Sequence, residues 1–132
     1  MKDVELRLAL VCYGDVSLAV YMHGVTKEFL KLMRASRAYH GLPKGPGRDT
    51  ADYLGANHSP DSEIDTETVY FDLIREIGKS VDLRVVIDVI TGASAGGVNG
   101  VILARALAHD LSLSPLREVW LEQADVNELL AE

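Results

Sequence analysis

The chain has 132 residues, 48% hydrophobic and 25% charged, the balance of one soluble globular domain with room for a single core. A formal net charge of −7 argues against the basic surface that nucleic acid requires, so no nucleic-acid partner is expected. With one cysteine, Cys12, no disulfide framework can form, and a reducing compartment is implied.

Residues 1–12 lack the basic region and long apolar segment of a secretory signal, and no window has the uninterrupted apolar length of a membrane span. The expected location is therefore cytoplasmic, with peripheral contact to a membrane left open. "ELRLALVC" alternates and then turns continuously apolar up to Cys12, the pattern of a strand entering a core covered on both faces. Cys12 reads there as a strand residue rather than a reactive thiol. "YGDVS" follows as a turn. From Ser17 to about Ser36, Leu18, Met22, Val25, Phe29 and Leu32 recur at spacings of three and four, which predicts an amphipathic helix; Gly24 inside it suits close packing against a neighbour.

Between about residues 40 and 65 glycines and prolines break every period, so an irregular insertion is expected. A helix resumes near Thr66 with Val69, Tyr70, Leu73 and Ile77 on one side and Gly78 at its end. "LRVVIDVIT" then reads as a buried strand. After Gly92 a helix with Val98, Val101, Ile102 and Leu107 as its apolar set follows. Ser114 and Pro115 open a further helix bearing Val119, Trp120 and Leu121. Two strands joined through helices imply a parallel sheet with right-handed crossovers. Asp125 and Glu128 have capping-box spacing with few residues after them, so the chain is expected to be the N-terminal portion of a larger domain.

Gly92-Ala93-Ser94-Ala95-Gly96 fits Gly-x-Ser-x-Gly, the nucleophile elbow, in which a serine occupies a strained strand-to-helix turn. Small neighbours are needed because strand and helix backbones approach closely there. Such a turn exposes the Ser94 hydroxyl, while the Ala95 N–H and the helix N-terminus can stabilise an oxyanion. The same turn in a phosphate-binding loop would need a lysine after Gly97, where Val98 and Asn99 stand. No His/Cys/Asp cluster has ligand spacing, so neither a metal nor another cofactor is expected.

The first strand also runs into a glycine-containing turn followed by a helix. At this point the chain resembles the patatin-like phospholipases, and especially the bacterial patatin-related proteins. The matching stretches are "LALVCYGDVSLAVYMHGVTKE", "VIDVITGASAGGVNGVILARAL" and "PLREVWLEQADVNELL". The resemblance implies a three-layer α/β/α fold with a mainly parallel sheet, and a serine–aspartate dyad that hydrolyses lipid acyl esters. Ser94 matches the nucleophile, and Gly14 with Asp15 and Val16 matches the oxyanion loop, to which Ala95 adds its N–H. Gly92, Gly96 and Gly97 match the elbow glycines, and Asp88 a structural acid before them.

Asp15 stands where the family usually has glycine, and Leu18 where plant-type loops carry a basic residue. The family's catalytic aspartate lies in Asp-Gly-Gly or Asp-Gly-Ala, and neither occurs here, so the dyad's aspartate is expected beyond this chain and the chain alone is expected to be inactive. The alternative is a non-catalytic homologue or fragment that binds lipid or a protein partner. Among the histidines, His23 reads as packed or solvated and His40, His58 and His109 as surface residues; no base is assigned.

Overall fold

A computed structural model describes residues 2–53 and 66–123. In chain order the elements are β1 (Lys2–Gly14), a 3-10 turn (Val16–Leu18), α1 (Ala19–Gly41), α2 (Pro46–Asp49), α3 (Thr66–Gly78), β2 (Val81–Ser94), α4 (Ala95–His109) and α5 (Ser114–Gln123). The chain is thus mixed α/β, and β1 and β2 pair in a two-stranded parallel sheet, as two strands joined through helices should. Among the described residues, no helix is long and apolar enough to cross a membrane.

The chain forms two compact units. One comprises Met1–Leu8 and Lys31–Ile87. Its core is Ala35 and Tyr39 from α1 with Phe71 and Ile74 from α3. The Tyr39 and Phe71 rings meet edge to face, 6.0 Å between centroids. Both the 69-73-77 stripe and the 67-71-74-78 stripe of α3 satisfy helical spacing, and the second is the buried one, leaving Val69 and Leu73 exposed. Phe71 is the bulkiest apolar side chain of the helix, and Gly78 lets the Tyr39 ring lie against its backbone, where a Cβ would overlap the phenol. Gly78 matters for this approach rather than for a left-handed cap.

Continuing α1 to Gly41 brings Tyr39 into that core, so the helix outruns the expected end near Ser36. Pro43 then prevents further helix, and Leu42 closes the turn onto the Tyr39 carbonyl at 3.2 Å. The expected irregular region accordingly holds the last turn of α1 and all of α2; its residues 54–65 lie outside the described residues. Gly45 has φ 147°, open only to glycine, and aims Pro46 into the first position of α2. In β2, the Val85 N–H donates to the buried Ser36 hydroxyl at 3.1 Å.

The other unit comprises Ala9–Leu30 and Asp88–Glu132. One cluster joins Leu30 to Leu103, Ala106 and Leu113; a second joins Ala19, Met22 and Ala95, with Trp120 half-buried against it. The buried stripe of α4 is Ala95, Gly96, Asn99, Gly100, Leu103 and Ala106, whereas Val98 is exposed and Val101 is 71% exposed. Small size rather than apolar bulk selects this face: a Cβ on Gly100 would lie 3.0 Å from Ile90 Cγ2. The expected apolar set is therefore wrong at Val98 and Val101.

Strand burial also departs from expectation. Val11, Tyr13 and Val89 are exposed, because the sheet has only two strands among the described residues and a side chain needs a layer against it to be covered. Gly24 is exposed, with no atom within 4 Å of a Cβ built there, so it serves no close packing among the described residues. α4 closes on Asp110, left-handed at φ 52° and ψ 48°, whose N–H returns to the Ala106 carbonyl. In α5, Val119 and Leu121 are exposed and Trp120 alone of the three predicted apolar residues packs inward. Asp125 and Glu128 lie outside the described residues.

Candidate functional site

β2 ends at Ser94 and α4 begins at Ala95, with no intervening loop. Turning an extended chain into a helix within one residue forces an unusual backbone: Ser94 has φ 55° and ψ −135°. A side-chain-bearing residue held there stores about 1–3 kcal/mol of strain. Ser94 is exposed and its side chain makes no capping hydrogen bond to α4. Its hydroxyl is thus not engaged in capping the helix.

The glycines on either side are required by β1. A Cβ on Gly92 would lie 2.8 Å from the Cys12 carbonyl oxygen and 2.9 Å from the backbone of Gly96. A Cβ on Gly96 would overlap that same Cys12 oxygen and come within 2.6 Å of its carbonyl carbon. Gly97 is different: its nearest neighbour would be the Gly92 oxygen at 3.4 Å, an ordinary contact. The half-buried Cys12 therefore contributes its backbone to the site's packing.

The two residues against which Gly96 packs, Cys12 and Tyr13, immediately precede Gly14, so β1 delivers the Gly14-Asp15-Val16 turn to the elbow. Gly14 itself is held by side chains, with Met22 Cε 2.9 Å from a Cβ built on it. Asp15 is extended at φ −87° and exposed. Its Oδ1 accepts a hydrogen bond from the Ser17 hydroxyl at 2.6 Å, and its carbonyl accepts from the Leu18 N–H at 3.1 Å. The carboxylate is thereby engaged within its own turn. Val16 begins the 3-10 turn and is exposed.

Asn99, one turn into α4, escaped the sequence reading as a site residue. It is 1% exposed, and its Nδ2 donates to the Ala19 carbonyl at 3.3 Å and to the Ala95 carbonyl at 3.2 Å, while its Oδ1 accepts from the Trp120 indole at 3.1 Å. The signal was a polar, poor helix former inside the apolar run "VNGVILA". His23 is buried, as one of its two readings had it; His109 is exposed and His58 lies outside the described residues.

His40 is not a surface residue, contrary to expectation. It belongs to a polar cluster in the first unit with Arg48, Asp82 and Lys44, beside a cleft of about 280 Å³. Arg48 is buried over the Tyr39 ring and spends its guanidinium on the Tyr39 carbonyl (3.2 Å), Asp82 (3.3 Å) and His40 Nδ1 (2.6 Å). Since a guanidinium only donates, His40 Nδ1 accepts and Nε2 carries the proton, which it donates to the Leu83 carbonyl at 2.9 Å. Burial holds the imidazole below the usual histidine pKa. Burial pushes the Asp82 carboxyl up, but the Lys44 hydrogen bond at 2.9 Å and the charge of Arg48 outweigh it and hold it below the usual range. Lys44 is raised by Asp82 and Asp3. Asp82 Oδ2 takes the Lys44 hydrogen bond, whereas its buried Oδ1 has only ion-pair contacts, to Arg48 at 3.3 Å and His40 at 3.5 Å. Among the described residues, no three His, Cys, Asp or Glu side chains are grouped to hold a metal ion.

No family model and no solved structure matches the chain. A Mycobacterium tuberculosis protein named as an uncharacterized membrane protein is similar to it, 32% identical over 127 residues that cover 96% of this chain. The chain spans 10% of that relative's length.

Proposed function

We propose that this chain carries the nucleophile of a patatin-like lipid acyl hydrolase acting through a serine–aspartate dyad. The observation that carries the reading is the backbone at Ser94: an exposed serine held at φ 55° between strand and helix, with flanking glycines that β1 leaves no room to replace. Strain maintained at an exposed nucleophile favours a functional origin over a merely tight turn.

In this reading Ser94 Oγ attacks the ester carbonyl, and its proton passes to an aspartate outside this chain. The Ala95 N–H, the start of α4 and the amides of Gly14, Asp15 and Val16 receive the developing oxyanion. The aspartic acid returns that proton to the departing alkoxide, which leaves as the alcohol, and water, giving its proton to the regenerated aspartate, then cleaves the acyl-serine to release the fatty acid. Exposed Tyr13, Val16, Leu18 and Tyr21 flank the turn and suit an acyl chain. The two-stranded sheet would be part of a mainly parallel sheet within a three-layer α/β/α domain. In this reading the lipid substrate is met by peripheral contact with a membrane from the cytoplasmic side, and the similar mycobacterial protein is itself described as a membrane protein.

A second reading, a non-catalytic lipid- or protein-binding module, is favoured by one observation, the Asp15 carboxylate in the turn where negative charge would develop. Fatty-acid release from a phospholipid by the full-length protein tests both. The hydrolase reading predicts turnover that falls on the order of 10³-fold or more in Ser94→Ala. Vesicle binding without turnover, unchanged by that substitution, would overturn it in favour of the module.

A further inference from the structure

We propose that Asn99 is a positioning residue that locks the Gly14-Asp15-Val16 turn in register with Ser94. The role in acyl transfer rests on the hydrolase reading; the structural lock does not. Asn99 offers two N–H donors and one acceptor on a single rigid amide, and all three are used. One donor holds the carbonyl of Ala19, the first residue of α1, directly after the 3-10 turn that follows Asp15. The other holds the carbonyl of Ala95, whose own N–H lies next to Ser94. A single amide therefore fixes the segment after the oxyanion turn to the first residue of the elbow helix.

The surroundings make this link stiff. Ala19 and Ala95 are buried together with Met22, and their small side chains let the two helix starts approach closely. The Trp120 indole N–H holds Asn99 Oδ1, which fixes the amide orientation so that both donors point at carbonyls. No apolar residue of similar size supplies these bonds, and Asp supplies the acceptor without the donors.

The test uses the full-length protein with Asn99→Leu, Asn99→Asp and Trp120→Phe. Two readouts are taken: the rate constant and final extent of Ser94 labelling by a fluorophosphonate, and hydrogen exchange of residues 15–19 against α3. Misplacement of the oxyanion turn lowers the labelling rate constant about 10- to 100-fold in both Asn99 variants while labelling still runs to completion. A lower final extent at an unchanged rate constant reports an irreversibly misfolded fraction, and raised exchange in α3 reports global unfolding; either in place of slowed but complete labelling would overturn the proposal. Trp120→Phe, which keeps both donor bonds, slows labelling less than either Asn99 variant. Exchange at 15–19 rises at least about tenfold in Asn99→Leu with α3 unchanged; unchanged exchange would overturn the lock. If the unaltered protein is not labelled at Ser94, the hydrolase reading fails and the exchange measurement alone decides the role of Asn99.

Discussion

Gly96 and Gly97 are adjacent in the first turn of α4, yet they face different neighbours. Adding a methyl at Gly96 drives it into the Cys12 carbonyl, so Gly96→Ala is expected to destabilise the protein by about 1–3 kcal/mol. At Gly97 the same methyl finds an ordinary contact, and helix propensity makes Gly97→Ala neutral or stabilising by up to roughly 1 kcal/mol. Paired thermal melts check the contrast, and equal losses would refute the packing argument. Ser94 supplies a second expectation at this scale. Ser94→Gly removes the Cβ that makes φ 55° costly and should melt higher than Ser94→Ala, which keeps it, by the equivalent of about 1 kcal/mol. The serine and its small neighbours were legible in the sequence because a strand-turn-helix junction restricts residue size locally. Asn99 was not, because its three partners come from α1, α4 and α5, and only the folded chain brings them together.

Elements were legible where one local rule dominated, and misplaced where two faces competed. β2 and α4 meet where the motif predicts, but the buried face of α4 is set by Gly96, Asn99 and Gly100 rather than by Val98 and Val101. In α3 the Phe71 stripe prevails because Tyr39, a distant partner in sequence, meets it. The network between α1, α2 and β2 in the first unit carries a pH dependence. His40 is held neutral by burial, so as pH falls the unfolded chain takes up its proton first, near 6.5. Its contribution to stability is full above that value and is lost as pH drops toward the lower folded value. Asp82, held below 3.8, adds a second loss at more acidic pH. Melting temperature should therefore decline as pH falls below about 6.5, and His40→Gln should flatten that decline; an equally steep decline in the variant would assign it to other groups.

Among the described residues, much apolar surface is open. Tyr13 is 70% exposed and Tyr21 72%, with Val11, Val89 and Val101 also uncovered. The two strands among the described residues do not cover themselves, so the chain should self-associate as concentration rises, seen by sedimentation velocity. A monomer at all concentrations with a sharp melt would contradict this. Composition could not reveal that exposure, since the same valines read equally well as core. The proposed hydrolase requires the hydroxyl of Ser94 to be an activated nucleophile. It is tested most directly by treating the full-length protein with a fluorophosphonate and mapping the adduct by mass spectrometry. A single phosphonyl adduct on Ser94, abolished by Ser94→Ala and retained in Ser17→Ala, is expected. An unmodified Ser94 in folded protein, or an adduct that survives Ser94→Ala, would contradict it.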